Sequence, residues 1–245
     1  MSDSALILLA FLLPLVGAFG IVLCGRWPNL RETVTLVTAA LTGLTVIELY
    51  GRFQQGGLNV VQLAEPLPGL AISFEIEPLG MLFALVASLL WFVTSVYAIG
   101  YMRGHGEANQ TRFYTMFAIA ISAALGVAFA GNLFTLFLFY EVLTISTYPL
   151  VAHAGTEKAR QGARTYLAIL LGTSIGLQLL AILITYAAAG TLDFRAGGIL
   201  AGKLDPAWAG LLLALFVFGI GKAAVMPFHR WLPAAMVAPT PVSAL

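Results

Sequence analysis

A single cysteine, Cys24, is all the thiol chemistry in the sequence. No internal disulfide can form, and no cysteine-ligated iron–sulfur cluster or structural zinc site can be assembled within the chain. Histidine is nearly as scarce. His105, His153 and His229 are the three present, and none has a second histidine at helical ligand spacing, which argues against haem or any other metal cofactor here. Charge is thin as well. Asp, Glu, Lys and Arg make up 9% of the 245 residues, against about 25% in soluble domains, and the net charge of +1 leaves no basic field for nucleic acid.

Apolar residues fill the space instead, 60% of the chain with a mean hydropathy of +0.95. That is the composition of an integral membrane protein. The N-terminal stretch MSDSALILLAFLLPLVGAFGIVLCG has Asp3 where a signal peptide needs positive charge, and its apolar run is of spanning length, so it reads as a retained helix over 4–24. A lipoprotein site at Cys24 would want a small residue at 23, where Leu23 stands.

Hydropathy predicts further spans at 33–49, 78–101, 113–130, 133–152, 165–189 and 207–226, making seven in one domain without linkers. A long loop over 50–76 carries Gly56, Gly57, Pro66 and Pro68; 102–112 is a polar turn and 153–164 a charged loop. Only helices or closed barrels satisfy their backbones in lipid, and unbroken runs of this length are not a barrel's alternating pattern, so the fold class is all-α, polytopic. Arg26, Arg31, Arg103, Arg112, Lys158, Arg160 and Arg164 follow spans 1, 3 and 5, whereas Arg52, Arg195 and Lys203 lie on the other side. Positive residues stay inside, which puts the N-terminus outside and Arg230 on the inner side.

Within these spans two charges stand out. Glu141 lies near the middle of span 5, where a charge costs about 2.5–3.5 kcal/mol on insertion scales. Thr144 and Tyr148 follow at i+3 and i+7 and extend a narrow polar stripe. A protonated glutamate used as interhelical glue fits this, and so does a proton site. Lys222 lies inside the apolar run of span 7, with Gly219 and Gly221 beside it and Pro227 five residues later. A lysine there can snorkel to the interface, but the two glycines allow close backbone approach and Pro227 predicts a broken helix of the kind that builds ion sites. In span 6, Ser174 and Gln178 with Thr185 form a polar stripe, and Gly172 with Gly176 suggests a small-residue contact face.

LFLFYEVLTISTYPLV in span 5, together with GKAAVMPFHRWLPAAMVAPTPVSAL at 221–245, resembles the antiporter-type membrane subunits of respiratory complex I and of the multisubunit Mrp cation/proton antiporters. The FYEV wording is most similar to the D-type Mrp subunits and their hydrogenase-linked relatives. The resemblance implies a subunit of about fourteen helices with two inverted repeats, each holding a proton half-channel. Glu141 and Lys222 match the glutamate and lysine at the centre of the first half-channel; Thr144, Tyr148, Ser174, Gln178 and His229 are candidates for the path.

Residues 1–112 then correspond to N-terminal helices and 113–245 to a first, incomplete repeat. The sequence reaches Leu245 where family members enter span 8, so residues 1–245 alone are expected not to exchange cations for protons. Implied partners are other membrane subunits, protons, Na⁺ or K⁺ and the lipid of an inner (plasma) membrane. The alternatives are a proton-pumping subunit of an NADH:quinone oxidoreductase or membrane-bound hydrogenase, and an inert assembly subunit. A retinal-binding rhodopsin also has seven helices and a lysine in the last, but span 3 offers no acidic counter-ion.

Overall fold

Side-chain caps and prolines start the helices. Ser2 accepts a hydrogen bond from the Ala5 amide at the head of α1 (Asp3–Leu23), Asn132 from the Thr135 amide at α5 (Leu133–Val151), and Thr156 from the Ala159 amide at α6 (Glu157–Thr173). Proline stands in the first turn of α2 (Pro28–Phe53), α3 (Pro78–Gly104) and α8 (Pro206–Gly219), where its missing N–H costs nothing. α4 runs from Gln110 to Ala128. α6 continues through a π-turn, Ser174–Gln178, into α7 (Leu179–Ala189). The structure, a computed structural model, describes residues 2–56, 60–67 and 69–243. Gly57 and Pro68 of the expected long loop, and the closing Ala244 and Leu245, lie outside the described residues.

Among the described residues six helical stretches are long and apolar enough to cross a bilayer: α1 to α5 and the 33-residue run Glu157–Ala189. The expected seventh span is shorter. α8 holds 14 residues and stops at Gly219, and irregular backbone follows, with 3₁₀ turns at Gly221–Ala223 and Phe228–Arg230 before the five-residue α9 (Trp231–Ala235). The break therefore includes Pro227 but starts ahead of Lys222. Pro227 has no N–H to give the Ala223 carbonyl, which weakens a helix here, although Pro14 within α1 and Pro149 within α5 show that a proline alone does not end one.

The helices also reach further than hydropathy alone predicts. α2 starts at Pro28, and α6 takes in residues 157–164, expected as loop. Charge at a helix end reads as loop in a hydropathy window. Arg31 and Glu32 are nevertheless both 5% exposed. Arg31 donates to Gln110 at 2.7 Å and to Glu32 and Thr111 at 3.3 Å, and Arg103 donates to Glu32 (3.0 Å from Nε) and to Asn29 at 2.6 Å. This network ties α2, α3 and α4 at one end, as buried charge requires.

The long loop is not all loop. β1 (Val61–Leu67) and β2 (Leu70–Phe74) form an antiparallel hairpin in which Val61 faces Phe74 and Leu67 faces Leu70. β2 docks on the head of α5: the Ser73 amide donates to Thr135 Oγ1 at 3.0 Å, and Asn132 Nδ2 donates to the Ala71 carbonyl at 2.7 Å and to Ser73 Oγ at 2.8 Å. Phe74 stacks on Phe11 of α1 at 4.7 Å and meets Phe139 of α5 edge-on at 5.5 Å. The start of α5 is thus pinned from two sides. α1 packs on α2 and α4, α4 on α5, and α5 on α6, while the stretch after the break lies against α6.

Candidate functional site

Lys222 sits on the irregular stretch, and α5 supplies its surroundings. The Tyr140 hydroxyl accepts from the Lys222 backbone N–H at 3.0 Å, replacing a helical partner lost at the break. At the other end of the side chain the ammonium donates to the Thr144 hydroxyl and, at 3.3 Å, to the Tyr140 carbonyl; it also lies 3.7 Å from the centre of the Tyr140 ring. Tyr140 and Thr144 can share one lysine because they stand four apart, one turn along one face.

Glycines bring the break this close to α6. A Cβ at Gly219 would lie 2.6 Å from the backbone nitrogen of Gln178 in the π-turn, and one at Gly221 would collide with the Thr173 hydroxyl. The Gly221 carbonyl accepts from Trp231 Nε1 at 2.8 Å, and the Trp231 ring meets Tyr166 of α6 edge-on at 5.6 Å. The Tyr166 hydroxyl in turn bonds to the Thr147 hydroxyl. Lys222, Thr147, Tyr166 and Trp231 line a cavity of about 320 Å³, walled otherwise by apolar side chains such as Leu143 and Val151. A cavity of that size has room for several waters, and Lys222, Thr147 and Tyr166 are the polar groups on its wall.

The structure brings together only some of the residues singled out in the sequence. Lys222 and Thr144 touch. Glu141 is near neither in contact terms: among the described residues no ion pair within 4.0 Å joins it to Lys222, and its Oε1 is buried with no hydrogen-bond partner. Ser174 and Gln178, at 0% and 2% exposure, open and close the π-turn, and Gln178 Oε1 is another buried acceptor without a partner. Tyr148 packs in an apolar cluster with Val151 and Tyr166. His229 lines a separate cavity with Thr165, Ile169 and Arg230.

Gly172 and Gly176 meet no neighbour among the described residues, where a Cβ at either would have nothing within 4 Å. Gly219 and Gly221 make the close backbone approach expected of them. Tyr140, Thr147, Tyr166 and Trp231 are absent from the sequence-based candidates. Tyr140 and Thr147 carry a signal all the same, at i−4 and i+3 from Thr144; Trp231 and Tyr166 carry none, because the break alone decides what they face.

Known proteins share this architecture. A family described as NADH:quinone oxidoreductase/Mrp antiporter, TM, matches residues 130–245, and one described as NADH-Ubiquinone oxidoreductase (complex I), chain 5 N-terminus, matches residues 69–114. NADH-quinone oxidoreductase subunit N of Desulforudis audaxviator (strain MP104C) is 35% identical over 182 residues, covering 72% of this chain and 36% of the relative. One subunit of a probable K(+)/H(+) antiporter, from Rhizobium meliloti (strain 1021), is 31% identical over 184 residues, covering 73% of this chain and 18% of the relative. Among solved structures, a chain of the membrane-bound sulfane sulfur reductase, an archaeal respiratory membrane complex, superposes with a TM-score of 0.83 at 25% identity, over 97% of this chain and 49% of that one. A chain of the Mrp complex from Dietzia sp. DQ12-45-1b shares the fold, with a TM-score of 0.81 at 23% identity, over 97% of this chain and 26% of that one. The present chain thus spans less than half the length of each of these proteins.

Proposed function

We propose that this chain, an antiporter-type membrane subunit of the superfamily that unites complex I and the Mrp antiporters, passes protons through a half-channel centred on Lys222 in exchange for Na⁺ or K⁺. The observation that carries the reading is the lysine itself, a half-buried amine at a helix break, docked on α5 and open to a cavity of about 320 Å³. An amine held at membrane depth is costly without partners, and a broken helix there offers the freed backbone groups that ion and water sites use. In this reading residues 113–245 belong to a first antiporter-type repeat behind the helices of 1–112, and the chain works beside other membrane subunits in an inner (plasma) membrane.

Glu141 acts on Lys222 through space rather than by contact. Its unmet carboxylate oxygen is an acceptor for a water or a proton arriving in the half-channel. Thr144 holds the ammonium, and Thr147 with Tyr166 offers hydroxyls along the cavity wall. Gln178 presents a free acceptor at the π-turn beside the break.

The test is cation-dependent proton flux in the complete complex, normalised to assembled protein. Lys222→Ala should leave less than a tenth of the flux while the chain still inserts, since losing an intramembrane charge eases insertion. Lys222→Arg should fail equally, because a guanidinium keeps its proton and cannot cycle. Glu141→Gln should be severe too, as the amide keeps the volume and removes the charge. Near-normal flux from the Arg variant would sink Lys222 as a cycling site. A second reading, a redox-driven pump, is favoured by the NADH-quinone oxidoreductase relatives. Flux that needs a reductant and ignores Na⁺ and K⁺ would decide for it.

A further inference from the structure

We infer that Tyr140 is the positioning residue for Lys222, its ring face and carbonyl docking the charged ammonium in direct contact while Glu141 acts on it only from beyond contact distance. The inference rests on the proposed role of Lys222 only for its consequence in transport. The geometry stands by itself.

Tyr140 is 6% exposed and grips Lys222 at both ends. Its hydroxyl takes the backbone N–H at 3.0 Å, its carbonyl takes the ammonium at 3.3 Å, and its ring centre lies 3.7 Å from Nζ. Thr144, the remaining partner of the ammonium, donates its own hydroxyl proton back to the same Tyr140 carbonyl at 2.9 Å. Among the described residues, every polar contact of the Lys222 side chain therefore runs through Tyr140 or its i+4 neighbour.

An aromatic face suits a lysine that must cycle. A desolvated ring attracts a cation strongly through its quadrupole yet carries no net charge. A carboxylate in contact would be left as a bare anion each time the lysine gave up its proton, which low-dielectric surroundings penalise heavily. The ring is indifferent to the neutral amine. Docking then follows protonation, and release follows deprotonation.

The other ionisable groups around the amine do not duplicate this part. Glu141 on the same helix makes no ion pair with it, Tyr166 on α6 borders the shared cavity, and His229 and Arg230 beyond the break line a different one.

The experiment reads the amine directly. The intact complex is treated with acetic anhydride over a pH series, and acetylation at each of the three lysines, Lys158, Lys203 and Lys222, is quantified by mass spectrometry. Only the neutral amine reacts, and the other two lysines serve as internal references. Tyr140→Leu should move the Lys222 reactivity profile to lower pH by about one unit, a tenfold change in the ratio of charged to neutral lysine. Tyr140→Phe keeps the ring face and should leave the midpoint within about a third of that shift.

Phenylalanine, difluorophenylalanine and trifluorophenylalanine at position 140 keep the packing while draining the ring face, so the midpoint should fall step by step along that series even where the Leu variant assembles poorly. Coincident profiles across the fluorinated series would overturn the inference, as would equal shifts from Leu and Phe. Because the readout is acetylation, it holds or fails whether or not protons pass through Lys222. Flux in the same variants then reports separately on the proposed transport.

Discussion

His153 follows the end of α5 with its side chain 1% exposed, and its Nε2 lies 3.8 Å from a Glu107 carboxylate oxygen, too far for a hydrogen bond. Burial lowers its pKa below 6.5, repulsion from Arg112 lowers it further, and Glu107 opposes both. The native protein thus keeps this ring neutral where an unfolded chain would bind a proton. Above pH 6.5 nothing is lost; as pH falls below that value, stability declines by up to about 1.4 kcal/mol per pH unit until the folded-state ring also protonates. His153→Phe should flatten the thermal-denaturation midpoint of the solubilised protein between pH 7 and pH 5 (about the range in which histidine titrates). An unchanged slope would show that another group sets the acid limit. His153 reads in the sequence only as a span-end histidine, and the approach of the 102–112 turn is what buries it. Tyr140 is the same case at the site. Its i−4 spacing to Thr144 is plain in the sequence, but a cation–π contact depends on where a separate, broken segment comes to rest.

At the scale of elements, the junction of the π-turn and the break is held by glycines, and each glycine makes a different demand. Gly221→Ala would press a methyl group into the Thr173 hydroxyl, a side-chain obstacle, so assembly and flux should fall and Thr173→Ala should restore much of both. Gly219→Ala meets the Gln178 backbone nitrogen at 2.6 Å and Cα at 2.8 Å. No side-chain truncation at Gln178 should rescue it. Gly172→Ala is the control and should be silent in assembled amount, because its Cβ meets open space. Rescue of Gly219→Ala by Gln178→Ala, or damage from Gly172→Ala, would contradict the packing. Small-residue spacing is legible in a sequence, but not which pair is used: 172 and 176 repeat at helical period yet meet nothing among the described residues, whereas 219 and 221 make their expected close approach where the helix stops between them. The hairpin escaped for a related reason. Its strands pair across a turn, and Pro66 within β1 speaks against a strand until Ser73 and Asn132 are seen to hold it in place.

Across the whole molecule, the spans were readable because charge is so rare that hydropathy has little to mislead it, and the errors fall at the ends, where Arg31, Glu32, Lys158 and Arg160 are helical. Loop charge sets a topology that labelling can check. In a Cys24→Ser background, Glu107→Cys and Lys158→Cys should react with an impermeant maleimide only from the cytoplasm, and Gln62→Cys and Arg195→Cys only from outside. The reverse pattern would overturn this topology and with it the side from which the proposed proton path opens. The buried cluster at the inner ends of α2, α3 and α4 has a further consequence, in the time of synthesis. Glu32 waits for Arg103, which lies 71 residues later in the chain. At about 5–20 residues per second, roughly 4–14 s pass before that partner is made. Through that interval only adjacent Arg31 can offset the carboxylate, and Arg31 itself lacks Gln110 and Thr111. The first two helices are therefore made as an unfinished pair, whose ionic end gains the rest of its partners only once the turn at 102–112 has been synthesised.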